Sequence, residues 1–197
     1  MPDKEKQVET FLIKTGLFDS VFLEEFLAER RSVDIKKGEF LVEEGQLCRS
    51  VYFLHSGIIT LFLNKDGEEH VKDFLMGGKF ITAYTSLITG KPSRIYLRAE
   101  QDIELSAWDG AYFKRLIAHH HTWTAFARAM AEQLFFRKEQ REISLLHDTE
   151  EERYVQLLEE FSGLSQQVPQ YLIASYLGIK PQFLSRIRKT MPQSLRG

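Results

Sequence analysis

A single cysteine, Cys48, is present in the 197 residues. A disulfide framework needs pairs, and a thiolate-ligated zinc or iron–sulfur site needs several ligands, so one chain can build neither. No stretch approaches ~20 consecutive apolar residues, which excludes a membrane-spanning helix. The opening MPDKEKQVETF lacks the apolar core of a signal peptide. The expectation is a cytoplasmic protein with no membrane partner. Catalytic signatures are missing as well. There is no Walker loop, no G-x-G-x-x-G and no Ser/His/Asp set. His55 and His70 form no H-x-H pair of the kind a cupin-like metal enzyme uses. MGGKF (76–80) is too short to cradle phosphates alone. His119, His120 and His121 fall at a helix start, where exposure to solvent is the ordinary fate, and Cys48 near a turn reads as buried or idle. The expectation is a protein that is not an enzyme, with no metal and no cofactor.

Acids are missing from one end. Residues 164–197 contain no Asp or Glu and five basic residues, Lys180, Arg186, Arg188, Lys189 and Arg196. The whole chain has 26 Lys and Arg against 28 Asp and Glu, so residues 1–163 hold 21 against 28, a net −7. A basic module on an acidic body is the asymmetry expected when one end meets a polyanion.

What is present can build a core. Hydrophobic residues make up 43% of the chain, with 15 Phe, enough for one domain and a small second one. Residues 5–30 read as two helices broken at Thr15-Gly16, the second capped by Asp19 or Ser20. From about residue 32 to 108 short apolar runs alternate with glycines at roughly ten-residue spacing. NKDGEE (64–69) reads as a hairpin turn centred on Asp66-Gly67. Such a pattern predicts a β-sandwich, jelly roll or barrel, and no helix of crossover length interrupts it. Helix returns from about 109. GAYFKRLI is one short helix. The run from Thr122 to about residue 148 is a long one, with Thr122 as its expected cap. Trp123, Phe126, Met130 and Leu134 recur about once a turn, and this stripe is the expected dimerisation face, the alternative being that it packs on the chain's own sandwich. A further helix begins at Asp148 or Thr149, with Glu150, Glu151 and Glu152 in its first turn. SGLSQQVPQ (162–170) reads as a connector, too short for a hairpin wing.

The acid-free end then reads PQYLIASYLGIKPQFLSRIRKT (169–190). Leu172, Ile173, Leu177, Ile179, Leu184 and Ile187 can form one small core, with Ala174 small enough for two helices to cross closely. Gly178 suits the end of the first helix, and Pro181 the first turn of the second. This is helix–turn–helix grammar, and in that geometry the second helix enters the major groove of DNA. Gln182 can pair with adenine, and Arg186, one turn on, with guanine. Ser185 lies beside that face. Gln170, Lys180, Arg188 and Lys189 are assigned to the rest of the DNA contact, the three cations to phosphates.

Roll, long helix and helix–turn–helix in that order resemble the Crp/Fnr superfamily of bacterial transcription regulators, over nearly the whole chain. KKGEFLVEEGQLCRSVYFLHSGIITLFL is similar to the family's cyclic-nucleotide-binding β-roll, and EERYVQLLEEF…VPQYLIASYLGIKPQFLSRIRK to its helix–turn–helix region. The resemblance implies an α+β protein. Its parts are a jelly-roll (double-stranded β-helix) cyclic-nucleotide-binding-like domain with N-terminal helices at 1–121, a dimerisation helix at 122–148, and a DNA-binding domain at 149–197. It also implies a homodimer on double-stranded DNA with two-fold-related half-sites, and RNA polymerase as a further partner.

The family's nucleotide-binding members hold the ribose with a Glu and the cyclic phosphate with an Arg from the pattern F-x-G-E-L…R-S-A. The matching stretch here is KFITAYTSLITGKPSRIYLRA (79–99). Thr82 stands at the Gly, Ala83 at the Glu, and Ser93-Arg94 reverses the Arg-Ser pair. On the long helix Lys138-Glu139 stand where a polar pair can contact the base. The expectation is a degenerate pocket that does not bind cyclic AMP. Phe80, Ile81, Thr82, Ala83, Tyr84, Ser93 and Arg94 are the candidate lining. The roll then either takes another ligand near Tyr84, Thr85, Ser93 and Arg94, serves only as a scaffold, or senses something else. The alternative reading is a non-enzymatic small-ligand or cyclic-nucleotide-binding module whose C-terminal helices do not read DNA.

Overall fold

The structure, a computed structural model, describes residues 4–18 and 23–191. The expected caps Asp19 and Ser20 lie outside those residues. Among the described residues two helices, α1 (Lys4–Lys14) and α2 (Glu24–Ala28), precede eight strands. These are β1 (Arg31–Ile35), β2 (Phe40–Val42), β3 (Ser50–Leu54), β4 (Ile58–Lys65), β5 (Glu68–Met76), β6 (Lys79–Ile81), β7 (Tyr96–Ala99) and β8 (Ile103–Asp109). The short helix α3 (Tyr84–Thr89) lies between β6 and β7. Then come α4 (Gly110–His119), α5 (His121–His147), α6 (Glu150–Glu160), α7 (Leu164–Gln167), α8 (Gln170–Leu177) and α9 (Pro181–Thr190).

The strands make two antiparallel four-stranded sheets, β1-β8-β3-β6 and β2-β7-β4-β5. Period-2 alternation sorts the side chains. Tyr52 and Leu54 face the interior between the sheets, with Ile59, Ile81, Leu97 and Leu105. Val51 and Phe53 face outward from the first sheet onto helices. The β4–β5 ribbon closes on Asp66 and Gly67, both at positive φ (56° and 88°), the tight turn the DG pair predicts. Asn64 Oδ1 accepts from the Gly67 N–H at 3.0 Å, which holds that turn.

Each sheet buries its outer face as well. Helices α1, α2, α4 and the start of α5 cover the first sheet with an aromatic cluster. Trp108 is fully buried, stacks on Phe26 at 4.5 Å and donates its indole N–H to the Phe26 carbonyl at 2.7 Å. The C-terminal helices cover the second sheet. Ile58, Phe62, Val71 and Phe74 form one continuous core with Tyr154, Leu157, Phe161, Leu172 and Tyr176.

Some boundaries differ from the sequence reading. Helix α5 starts at His121 with His120 at the N-cap, so Thr122 lies inside it. Thr124 Oγ1 instead ties the α4–α5 corner, donating to the Ile117 carbonyl at 2.6 Å. The stretch read as a connector contains the turn of helix α7, because Leu164 is fully buried and anchors it in the C-terminal core. Thr149 does cap α6, in a reciprocal capping box with Glu152. Trp123 and Phe126 are buried in the roll's own aromatic cluster, and Met130 packs against it. That correction has a plain cause: α5 lies on the first sheet over its first turns, so its apolar stripe faces inward there.

Candidate nucleic-acid interface and roll interior

Helices α8 and α9 meet through Leu172, Ile173, Ala174, Leu177, Leu184 and Ile187, all buried. Gly178 ends α8 at φ 71°, and the Ile179 N–H returns to the Ala174 carbonyl at 3.0 Å. A Cβ at Gly178 would stand 3.5 Å from Leu145, so the position demands glycine for its backbone rather than for space. Lys180 is the N-cap of α9 and Pro181 its first residue. With Leu184 and Ile187 turned inward, the opposite face of α9 carries Gln182, Ser185, Arg186 and Lys189, all exposed. Gln170 and Lys180 are exposed too, at the starts of α8 and α9. Arg188 departs from this set: it is half-buried on the flank, its charge near the Tyr154 hydroxyl. Two aromatics on this surface escaped sequence reading. Phe183 is 42% exposed with the Arg186 guanidinium 5.5 Å from its ring centre, and Tyr171 is 50% exposed on the first turn of α8. Their signal was available, since neither falls on the apolar stripe of its helix.

The helix–turn–helix is clamped to the roll. Strand β5 is an edge strand, and an edge presents unpaired backbone groups. Ser175 of α8 satisfies two of them: its hydroxyl donates to the Glu69 carbonyl at 2.7 Å and accepts from the Val71 N–H at 2.9 Å. The Glu69 carboxylate in turn binds Arg98, which also reaches Glu100 at 3.1 Å. Arg141 of α5 donates to the Tyr176 carbonyl and lies 3.6 Å from the Tyr176 ring centre. Arg137 bridges Asp73 of β5 at 3.0 Å and Glu160 of α6 at 2.7 Å. Burial pushes the Asp73 carboxyl up, against the pull of Arg137. Burial also pushes the Tyr176 hydroxyl up to about 12. None of these partners was legible in the sequence, because all join segments distant along the chain.

The candidate pocket residues do not converge. Ile81 and Ala83 are packed into the core between the sheets, but Phe80 points to the opposite face, among Phe11, Phe53, Trp108 and Phe126. Thr82 Oγ1 donates to the Ser50 carbonyl at 3.0 Å and lies 3.2 Å from Cys48 Sγ. Ser93 is buried and satisfied locally, its hydroxyl donating to the Ile95 carbonyl at 2.9 Å. Arg94 and Tyr84 are exposed. His119, His120 and His121 are exposed as well. Among the described residues no group of three or more His, Cys, Asp or Glu side chains is placed to hold a metal ion. No helix there is long and apolar enough to cross a membrane.

A two-sheet roll, a long helix and a helix–turn–helix follow one another in the chain, and comparison with known proteins places that order of parts. Residues 32–120 match the family model of the cyclic nucleotide-binding domain. No curated protein sequence matches the chain. Among solved structures, FixK2 from Bradyrhizobium japonicum superposes with a TM-score of 0.73 at 18% identity, over 81% of this chain and 83% of its own. A protein of the crp/fnr family from Eubacterium rectale gives 0.73 at 13%, over 91% and 86%. The c-di-GMP-responsive regulator CLP of Xanthomonas campestris gives 0.67 at 19%, over 87% and 90%. The roll is similar to the cyclic nucleotide-binding domain over residues 32–120, and the chain as a whole shares the fold of these Crp/Fnr-type structures. The resemblance read from the sequence holds at that level.

Proposed function

We propose that this chain is a homodimeric, sequence-specific DNA-binding transcription regulator of the Crp/Fnr type, acting in the cytoplasm without catalysis, whose roll does not take cyclic AMP. The observation that carries the reading is the exposed face of α9. Gln182, Ser185, Arg186 and Lys189 project from a helix whose other side is locked into a helix–turn–helix core, and no acid follows residue 163. Gln182 and Arg186 are the base readers, and Lys180 and Lys189 the phosphate contacts. Phe183 supplies apolar surface beside Arg186 for a thymine methyl or a sugar edge.

The dimer seam is the distal part of α5. Phe136, Ile143 and Leu146 follow each other at seven and three residues, a coiled-coil spacing, with Phe135 beside them. Leu146 is 83% exposed and Phe135 60%, a contiguous apolar strip that a second copy would cover. Two such chains present two recognition helices to two-fold-related half-sites, and RNA polymerase is the partner that would read the result. Against cyclic AMP stand the exposed Arg94 and the packed Ala83, at the positions where the resemblance would set the phosphate and ribose ligands.

The deciding experiment is selection of binding sites from a randomised duplex library, followed by titration of Arg186→Ala on the selected site. A DNA reader returns a two-fold-related consensus, and the variant loses about 1–3 kcal/mol at one base position per half-site. Failure to enrich any sequence would sink the reading and leave a ligand-binding module. Titration calorimetry with cyclic AMP is expected to show no binding.

A further inference from the structure

A groove open to solvent, of about 810 Å³, lies outside the roll, between α1 and one end of the first sheet. Helix α1 forms one wall. Lys6, Thr10 and Lys14 stand at i, i+4 and i+8 and therefore share one face of that helix. Neither lysine enters a salt bridge among the described residues. The nearby acids are occupied elsewhere, Glu104 by Lys4 and Glu5 by Arg30. Among the described residues no Asp or Glu lines the groove, although the part of the chain that builds it is acidic overall.

The floor adds a third donor and an apolar surface. His55 Nδ1 donates to Gln7 Oε1 at 2.7 Å, and His55 Nε2 accepts from the Ser106 hydroxyl at 2.8 Å. With its oxygen so engaged, the Gln7 amide nitrogen has no hydrogen-bond partner among the described residues and can serve the groove. Phe11 and Phe53 meet edge to face at 5.6 Å and provide the aromatic part of the lining.

We propose that this groove binds a flat apolar anion: an aromatic body on Phe11 and Phe53, and its carboxylate, sulfonate or phosphate between the Lys6 and Lys14 ammonium groups and the Gln7 amide. The chemistry follows from the lining, which offers cationic and neutral donors over rings and no competing carboxylate. The site is distinct from the inter-sheet interior, where Ile81 and Ala83 are packed. It also touches the long helix at one remove. Phe11 lies 5.6 Å from Phe80, and Phe80 lies 5.6 Å from Phe126 of α5.

Naphthalene-2-sulfonate is the probe, titrated into the full chain by calorimetry and by NMR of the Gln7 side-chain amide. One site per chain is expected, with a shift at Gln7. Charge reversal at both lysines (Lys6→Glu with Lys14→Glu) should weaken binding by about tenfold or more, since two attractions become repulsions. Both lysines are exposed, so the variant's melting temperature should stay close to that of the parent. Lys65→Glu with Lys91→Glu, elsewhere on the surface, should leave the affinity unchanged. Equal affinity in the Lys6/Lys14 variant, equal binding of neutral 2-naphthol, or shifts confined to Phe135 and Phe136 on α5 would each overturn the proposal. The probe binds or fails here whether or not α9 reads DNA, so the two readings stand or fall separately.

Discussion

The two sheets of the roll bury their outer faces by different means. The first is sealed by rings: Phe26 on Trp108 at 4.5 Å, Phe26 on Trp123 at 4.4 Å, and Phe18 on Trp123 at 4.7 Å. Its polar content is small and includes the paired indole N–H of Trp108. The second has an apolar centre but is fastened at its margin by Ser175, Arg137 and Arg141. Apolar burial is non-directional, whereas hydrogen bonds and ion pairs specify one orientation. The first face therefore makes the roll and its helices one unit. The second sets where α8 and α9 sit on that unit.

The largest effect expected of a single change is on the aromatic face. Trp108→Ala should cost about 3–5 kcal/mol in denaturant unfolding of the whole chain, as a fully buried aromatic and a paired indole are lost together. A loss below 1 kcal/mol would show that this face is not the stability centre. Arg141→Ala comes next, at about 1–3 kcal/mol, because it leaves the Tyr176 carbonyl and ring without their cation. The loss should appear as earlier melting of the C-terminal helices, with the roll's own transition unmoved. A uniform shift of both would erase the distinction between the faces. Ser175→Ala is smaller, about 1 kcal/mol, and local. Hydrogen exchange at the Val71 amide should accelerate while that at strand β8 stays constant.

The smallest effect is on pH dependence, and its sign separates the faces. Burial holds His55, on the first sheet, below its ordinary 6.5. Its contribution is present above that value and is lost as pH falls through the lower folded value. Burial holds Asp73, on the second sheet, above its ordinary 3.8. Its contribution is fully present below that value and is lost as pH rises through the higher folded value. Thermal melts of His55→Gln should therefore vary less than those of the parent between neutral pH and the acid side of 6.5. Asp73→Asn should flatten the profile just above 3.8. Parallel pH profiles for parent and both variants would show that neither group titrates differently in the fold.

Much of the architecture was legible in local chemistry. Asp66-Gly67, Gly178, Pro181 and the Thr149 capping box sit where their backbone preferences place them. The exposed face of α9 was legible too, because a helix with Leu184 and Ile187 inside must turn Gln182 and Arg186 outward. The stripe expected to face a second copy turns inward at Trp123 and Phe126 for a reason of the same kind. Periodicity finds an apolar face but not its partner, and here Trp123 and Phe126 face the roll. The pocket list failed at Phe80 because consecutive strand residues point to opposite faces, so only Ile81 of the pair reaches the interior.

By itself, then, the sequence determined which segments are strand or helix, where they turn, and which end is basic, since each depends on neighbours a few positions away. Tertiary structure alone decided that Ser175 would close the edge of β5, that Arg137 would join Asp73 to Glu160, and that α1 would stand over Phe53 with Lys4 paired to Glu104 and Lys6 and Lys14 in no salt bridge among the described residues. Those contacts join residues far apart in the chain, and only the packing of the sheets and helices brings their atoms within hydrogen-bonding or ring-contact distance.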